Sequence, residues 1–150
     1  MLGDTAVAVN SKDPRYQDII GKELEHPFVK DRKMKVITDD KLVDMNFGTG
    51  CVKITPAHDP NDFECGMRNN LEFINILNED GSMNENCGQF SGKKRYDVRK
   101  EIIKELEALK LYKGKKPNPM RLGICSRSDD VIEPCIKPQW YVKGEEIGKR

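Results

Sequence analysis

The chain has 150 residues and is rich in charge, yet its 26 Lys and Arg against 25 Asp and Glu leave a formal net charge of only +1. Such a length corresponds to one domain, and the near-neutral balance argues against a wholly basic nucleic-acid-binding protein. The sequence contains no run of about 18 apolar residues and no secretory signal, so it predicts no contact with a membrane. We therefore expect a cytoplasmic protein.

The cysteines are few and widely spaced, and no two of them form a C-x-x-C pair. Their odd number and the absence of a secretory signal predict free thiols rather than disulfides. Only two histidines, His26 and His58, are available as further ligands. Because a structural zinc ion needs four Cys or His ligands at close spacing, we predict no metal site.

The first half of the chain contains short β-branched segments separated by turn residues. They predict strands at residues 5–9, 35–38 and 51–55. A helical turn is expected from Asp18 to Gly21, and the segment Gly48-Thr49-Gly50 interrupts the chain just before the third strand. Short strands joined by turns predict a barrel or a small sheet.

A helix start follows the third strand. Asp59 is a typical N-cap residue and Pro60 suits the first helical position, so the sequence predicts a short helix that ends near residues 68–70. The apolar residues at 71–77 then predict another strand.

Apolar residues at helical spacing predict the longest helix, from Arg95 to Leu111. Glycine and proline interrupt the pattern at 113–119, and one more short strand is expected within 131–142. The irregular order of strands and helices predicts an α+β fold. The sequence contains neither a G-x-G-x-x-G nor a G-x-x-x-x-G-K-[ST] motif, so it predicts no nucleotide-binding site.

Reactive side chains are densest in the stretch F-G-T-G-C-V-K-I-T-P-A-H-D-P-N-D, from Phe47 to Asp62. Alternation along a strand places Lys53 and Thr55 on one face. The loop and helix start that follow add further polar groups: His58, Asp59 and Asp62. A carboxylate can anchor an ammonium, and a Thr or Asp side chain can hydrogen-bond a hydroxyl, so the cluster suits a ligand that carries both groups.

Each of these residues also has a purely structural explanation. Asp59 suits an N-cap, and a surface carboxylate at the position of Asp62 would stabilise the helix through its macrodipole. His58 could be a packing residue, Lys53 a solvated strand residue, and the glycines part of a turn. Only the joint occurrence of these residues favours a binding or catalytic site.

The stretch 44–64 resembles the editing domain inserted in valyl-tRNA synthetases. Further segments match this family in order along the chain: 1–9 (M-L-G-D-T-A-V-A-V), 77–81 (L-N-E-D-G), 131–134 (V-I-E-P) and 138–142 (P-Q-W-Y-V). The segments N-P-M and C-S-R-S, at 118–120 and 125–128, are similar to eukaryotic cytosolic forms.

The resemblance implies a β-barrel-like editing domain with short peripheral helices, over residues 1–143. The segment 144–150 would then be a tail that leads back to the catalytic domain of the parent enzyme. The family has a Thr-Thr-Arg-Pro-Glu-Thr-like segment just before the position of Met1, so we expect this chain to lack the first few residues of the domain.

The resemblance also implies post-transfer editing in translation, in which the ester of threonyl-tRNA(Val) is hydrolysed. The expected partners are the 3′ end of tRNA(Val) carrying threonine and the parent catalytic domain, and a monomer is expected. Editing needs no cofactor, since ATP serves only the parent synthetase, outside this chain. The alternatives are a non-catalytic module that binds the tRNA acceptor end and a free-standing deacylase.

The family assigns roles to individual residues. Asp62 would hold the α-ammonium of the aminoacyl group, while Thr55 and Asp59 would bind the threonine hydroxyl and order a water. Lys53 would face the ester or the terminal adenosine. Phe47 would form a wall of the pocket or stack on that base, and the remaining pocket residues would be Gly48, Thr49, Gly50 and His58. The sequence shows no Ser–His–Asp or Cys–His pair that would require a covalent intermediate.

Overall fold

A four-stranded mixed sheet organises the computed structural model, which describes residues 1–149. Its strands are β1 (Ala6–Val9), β2 (Glu23–Glu25), β3 (Lys33–Thr38) and β4 (Cys51–Ile54). They lie in the order β2-β3-β1-β4, with β1 parallel to β3 and antiparallel to β4, and with β2 antiparallel to β3.

Within residues 1–149, three α-helices accompany the sheet: α1 (Pro60–Arg68), α2 (Arg95–Ala108) and α3 (Gly144–Ile147). Short 3-10 turns occur at Gln17–Ile19 and Glu85–Phe90. The start of α1 follows from its sequence, because the side chain of Asp59 accepts hydrogen bonds from two free backbone amides of the first turn.

Among residues 1–149, the core consists of two apolar clusters. One lies between the sheet and α1 and joins residues of β1 and β4 to Cys65 of the helix and Val43 of the β3–β4 connection: Ala6, Ala8, Val43, Ile54 and Cys65. The other lies under α2: Leu2, Leu77, Met83, Cys87, Phe90 and Val98. The face of β4 opposite to Ile54 is therefore free to carry polar residues.

The predicted mixture of strands and helices is confirmed, and so are the first three predicted strands and the cap of α1. The sheet is open in the described part of the chain, because β2 and β4 are its two edges and do not pair with each other. The barrel therefore stays a prediction, as do the domain bounds 1–143 and 144–150.

The strand predicted at 71–77 is wrong, since only Leu77 forms an isolated bridge, to Met83. Side chains occupy the backbone groups that a neighbouring strand would need. The carbonyl of Asn75 accepts from Asn84 and Asn86 side chains. The amide of Ile76 donates to the ring of His58. These side-chain hydrogen bonds replace part of the strand pairing that was expected, and the sequence of the segment does not reveal them.

Two further predictions need correction near the C-terminus. The strand expected within 131–142 is reduced to a bridge between Val131 and Ile124. Helix α2 ends at Ala108 rather than Leu111, because Lys110 adopts a positive φ of 58° and reverses the chain. The sequence also gave no indication of β2, which is only three residues long and largely exposed.

The predicted tail begins at α3, and its last residue, Arg150, lies outside the described residues. Among residues 1–149, no helix is both long and apolar enough to cross a membrane.

Candidate active site

Three of the predicted site residues meet where β4 ends and α1 begins. The ammonium Nζ of Lys53 lies 3.0 Å from Thr55 Oγ1 and 3.4 Å from Asp62 Oδ2. The same carboxylate oxygen accepts the backbone amide of Thr55 at 2.8 Å. A cation, a hydroxyl and a carboxylate are thus in direct contact.

The local chain geometry brings these groups together. Side chains alternate along a strand, and Lys53 and Thr55 are two residues apart. Their side chains therefore project on the same side of the chain, opposite to the side chain of the buried Ile54. The chain then turns, with His58 N bonded to Thr55 O at 3.1 Å, and enters α1. Asp62 lies three residues after the cap, in the first helical turn, and from there its side chain reaches back to Thr55.

Asp62 is only 5% exposed, which contradicts the expectation of a surface carboxylate. One of its oxygens, Oδ2, is held by Thr55 and Lys53. The other oxygen, Oδ1, accepts no hydrogen bond from residues 1–149, and it is not fully enclosed. Asp62 therefore combines a fixed position with one carboxylate oxygen that is available to a bound cation.

A fourth member of the cluster, Asp4, was not predicted from the sequence. It is 4% exposed, and its Oδ1 accepts a hydrogen bond from Thr55 Oγ1 at 2.5 Å. It lies here because β1 pairs antiparallel with β4, with Ala6 opposite Ile54. Prediction of Asp4 as a site residue would have required the register of the β1–β4 pair, and a single sequence does not contain that information.

The Thr55 hydroxyl has one hydrogen, and the carboxylate of Asp4 takes it. Lys53 can only donate, so it uses one lone pair of the same oxygen. The remaining lone pair can accept a further hydrogen bond. The network therefore makes the Thr55 hydroxyl a hydrogen-bond acceptor toward any ligand. We call the four residues Asp4, Lys53, Thr55 and Asp62 the polar cluster.

Asp59 adjoins the polar cluster but serves the helix. Its Oδ1 accepts from the amides of Asn61 at 2.8 Å and of Asp62 at 3.0 Å. No hydrogen bond to its second carboxylate oxygen is formed within residues 1–149. The geometry thus gives Asp59 a capping role. Its predicted binding of the threonine hydroxyl or of a water would use the second carboxylate oxygen, Oδ2.

Both ring nitrogens of His58 are engaged within the protein. Nε2 accepts from Ile76 N at 3.0 Å, and Nδ1 lies 2.8 Å from the carbonyl oxygen of Pro134, so Nδ1 carries the hydrogen. Burial lowers the pKa of His58 from its ordinary value of 6.5. The neutral ring joins two distant segments, and it has no free nitrogen for a substrate.

The predicted pocket loop, Phe47-Gly48-Thr49-Gly50, lies at the opposite end of β4 from Thr55. Phe47 is 74% exposed. Gly48 and Gly50 have φ values of 59° and 70°, and a Cβ on Gly50 would collide with the guanidinium of Arg15. The structure therefore does not bring this loop into contact with the polar cluster, although Phe47 is free to contact a large ligand.

The two cysteines nearest to the site in the sequence, Cys51 and Cys65, are not activated as nucleophiles. Burial raises the pKa of Cys51, and burial raises the pKa of Cys65 to about 12, so both are thiols at neutral pH. Among residues 1–149, no three His, Cys, Asp or Glu side chains are grouped as metal ligands would be. The polar cluster itself supplies electrostatic and hydrogen-bonding groups: an anchored carboxylate, an ammonium and an oriented hydroxyl oxygen.

No protein-family model matches the chain. Valine–tRNA ligase of Schizosaccharomyces pombe is 54% identical over 147 residues, which cover 98% of this chain. The chain is homologous along its whole length to a segment of valine–tRNA ligases. The mitochondrial valine–tRNA ligase 1 of Arabidopsis thaliana is 57% identical over 99% of this chain, and the Caenorhabditis elegans ligase is 53% identical over all of it.

The chain spans only 15%, 13% and 14% of the lengths of these three ligases. The resemblance to valyl-tRNA synthetases is confirmed at this level. Relatives named as mitochondrial occur beside others without that label, so the cytosolic form stays a prediction. The site roles and the absence of a cofactor stay predictions as well.

Proposed function

We propose that this valine–tRNA ligase segment is an editing domain that hydrolyses the ester of threonyl-tRNA(Val). One observation carries the proposal: the polar cluster joins a buried carboxylate that has a free oxygen, Asp62, to an ammonium and an oriented hydroxyl oxygen. An aminoacyl ester of threonine presents the complementary groups, which are an α-ammonium, a carbonyl oxygen and a side-chain hydroxyl.

Selection of threonine over valine would reside in Thr55. A hydrophobic synthetic pocket rejects only weakly an isostere that merely adds a hydroxyl, and valine with threonine is a known instance. A second site that hydrogen-bonds the hydroxyl reverses the preference. Because Asp4 holds the hydrogen of Thr55, the free lone pair accepts the threonine hydroxyl, and a valine methyl group would leave it unpaired.

The hydrolysis itself would use positioning and electrostatics. Asp62 Oδ1 anchors the α-ammonium, and the Lys53 ammonium stabilises the negative charge that develops on the ester carbonyl oxygen. A water attacks the carbonyl carbon, the bond from that carbon to the ribose oxygen breaks, and a water proton passes to the leaving ribose oxygen. The products are free threonine and uncharged tRNA, and no ATP is consumed.

The wider setting belongs to the same proposal. The open sheet would be part of the barrel-like editing fold, the 3′ end of tRNA(Val) would bring the substrate, and the catalytic domain of the parent ligase would be the neighbour in the chain. The domain would act as a monomer, in the cytoplasm, and without a cofactor.

Single-turnover hydrolysis of threonyl-tRNA(Val) by Asp62→Asn tests the proposal. The amide oxygen can still accept from Thr55 N, so the fold is kept, but the charge that anchors the ammonium is lost. We expect the rate to fall about 100-fold, the typical effect of one well-placed electrostatic group. Asp97→Asn is the matched control, since Asp97 is an exposed carboxylate in the first turn of α2. Equal rates in both variants would refute the role of Asp62.

A further inference from the structure

Residues 109–127, which we call the basic segment, concentrate positive charge. The segment has no Asp or Glu and carries six cations: Lys110, Lys113, Lys115, Lys116, Arg121 and Arg127. The rest of the chain then has a formal charge of −5. All six cations are exposed, and none forms an ion pair with a carboxylate of residues 1–149. This charge has no partner within the described chain.

The end of α2 folds the basic segment back along that helix. Lys110 adopts a φ of 58°, and the amides of Leu111 and Tyr112 both donate to the carbonyl of Leu106, at 2.8 and 3.1 Å. A left-handed residue at this position is a common way to end a helix and to reverse the chain. The reversal places Tyr112 and Lys115 against the side of α2 that carries the buried Val98 and the half-buried Ile102.

A cavity of about 400 Å³ lies between the basic segment and α2. Its walls include apolar residues of the helix, the ring of Tyr112 and three cations. The apolar residues are Val98, Ile102 and Ile103, and the cations are Arg95, Arg99 and Lys115. The volume falls within the range of sites that hold small organic groups. An apolar floor with a cationic rim fits a group that is flat and apolar at one end and anionic at the other, as a nucleotide is.

We propose that the basic segment, with Arg99, is an RNA-binding surface, on which the cations contact successive phosphates and the cavity holds one base or ribose. Charge complementarity favours RNA, because six unpaired cations release counterions when they meet phosphates. Tyr112 supplies an aromatic ring on which a base can stack. The inference deepens the proposed function and rests on it only in naming tRNA as the source of the RNA.

Salt-dependent binding of an uncharged RNA hairpin, with a tRNA-like acceptor stem and a single-stranded 3′ end, tests the proposal. The test variant replaces three cations of the basic segment: Lys113→Gln, Lys115→Gln and Lys116→Gln. The matched control removes three exposed, unpaired lysines elsewhere: Lys22→Gln, Lys30→Gln and Lys35→Gln. Fluorescence anisotropy between 50 and 200 mM salt gives the affinity and its salt slope, and circular dichroism checks the fold.

We expect the test variant to bind about tenfold or more weakly at 50 mM salt, with a slope of log K against log salt shallower by about two or more. The control should keep the wild-type slope. Equal affinity and slope in the wild type and the test variant, equal losses in both variants, or no binding by the wild type would overturn the proposal.

The same variants separate this proposal from the proposed function. On threonyl-tRNA(Val), the test variant should show a raised KM with an unchanged maximal hydrolysis rate, because the polar cluster is intact. An unchanged KM would reject the basic segment as the RNA surface and leave the editing activity standing. Absence of hydrolysis in the wild type, together with normal hairpin binding, would reject editing and leave the RNA surface standing.

Discussion

At the scale of single residues, one interior hydrogen-bond network decides what the site can do. Thr55 gives its hydrogen to Asp4 and receives one from Lys53, while Asp62 receives the backbone amide of Thr55. Together these hydrogen bonds restrict the orientations of the Thr55 hydroxyl and the Asp62 carboxylate. The chemistry therefore depends on the orientation of one hydroxyl as much as on the presence of a carboxylate.

Replacement of Asp62 should cost stability as well as activity. In Asp62→Ala the amide of Thr55 loses its acceptor in a buried position, and we expect a loss of about 1–3 kcal/mol in the free energy of unfolding. Asp62→Asn keeps an acceptor and should lose less. Urea denaturation of both variants measures the difference, and equal stability of Asp62→Ala and the wild type would contradict the observed hydrogen bond.

Replacement of Thr55 should reduce substrate selectivity. Thr55→Val removes the acceptor for the threonine hydroxyl, so we expect hydrolysis of threonyl-tRNA(Val) to slow roughly 5- to 150-fold, the equivalent of about 1–3 kcal/mol. Valyl-tRNA(Val) should be hydrolysed no more slowly than before. Thr55→Ser retains the hydroxyl and is the control. An unchanged ratio of the two rates in Thr55→Val would remove Thr55 from substrate selection.

At the scale of elements, the start of α1 serves both the fold and the site. Asp59 caps the helix, and the first turn then carries Asp62 to the end of β4. The sequence predicted this cap correctly, because N-cap preferences depend on local hydrogen bonds that a sequence reveals. It did not predict the side-chain bonds that hold residues 71–77, because those involve partners distant in the chain.

The cap gives a prediction of its own. Asp59→Ala should lower the free energy of unfolding by about 1 kcal/mol, since two amides of the first turn lose their acceptor. Asp59→Ser, which can also cap, should recover most of this loss. If both variants keep wild-type stability but lose threonyl-tRNA hydrolysis, Asp59 acts on the substrate rather than on the helix. Thermal unfolding and the hydrolysis assay together distinguish these roles.

His58 makes stability depend on pH. Burial lowers its pKa below 6.5 in the folded chain, so the unfolded chain binds a proton more readily. The contribution of the neutral ring is therefore complete above pH 6.5 and is lost as the pH falls through the lowered folded pKa. We expect the unfolding temperature to decrease between pH 7 and pH 5. His58→Gln should decrease less over that range, and an equal slope in both would contradict this account.

At the scale of the whole molecule, the fold brings β1 beside β4 and so adds Asp4 to residues some fifty positions away. The order of elements and the stretch 51–62 could be predicted, because strand alternation and helix caps are local patterns. Chain order also places the Phe47 loop before β4 and Thr55 after it. The tertiary contacts that hold this loop, such as that of Arg15 with Met45 O, could not be predicted, because their partners are distant in the sequence.

The most direct test of editing is the release of threonine from preformed threonyl-tRNA(Val), with valyl-tRNA(Val) as the control ester. This chain and a form preceded by the Thr-Thr-Arg-Pro-Glu-Thr segment of the family should be compared. We predict that the extended form, at least, releases threonine more than about tenfold faster than valine, since valine leaves Thr55 unpaired. Equal rates for the two esters, or two intact esters with a folded extended form, would contradict the account.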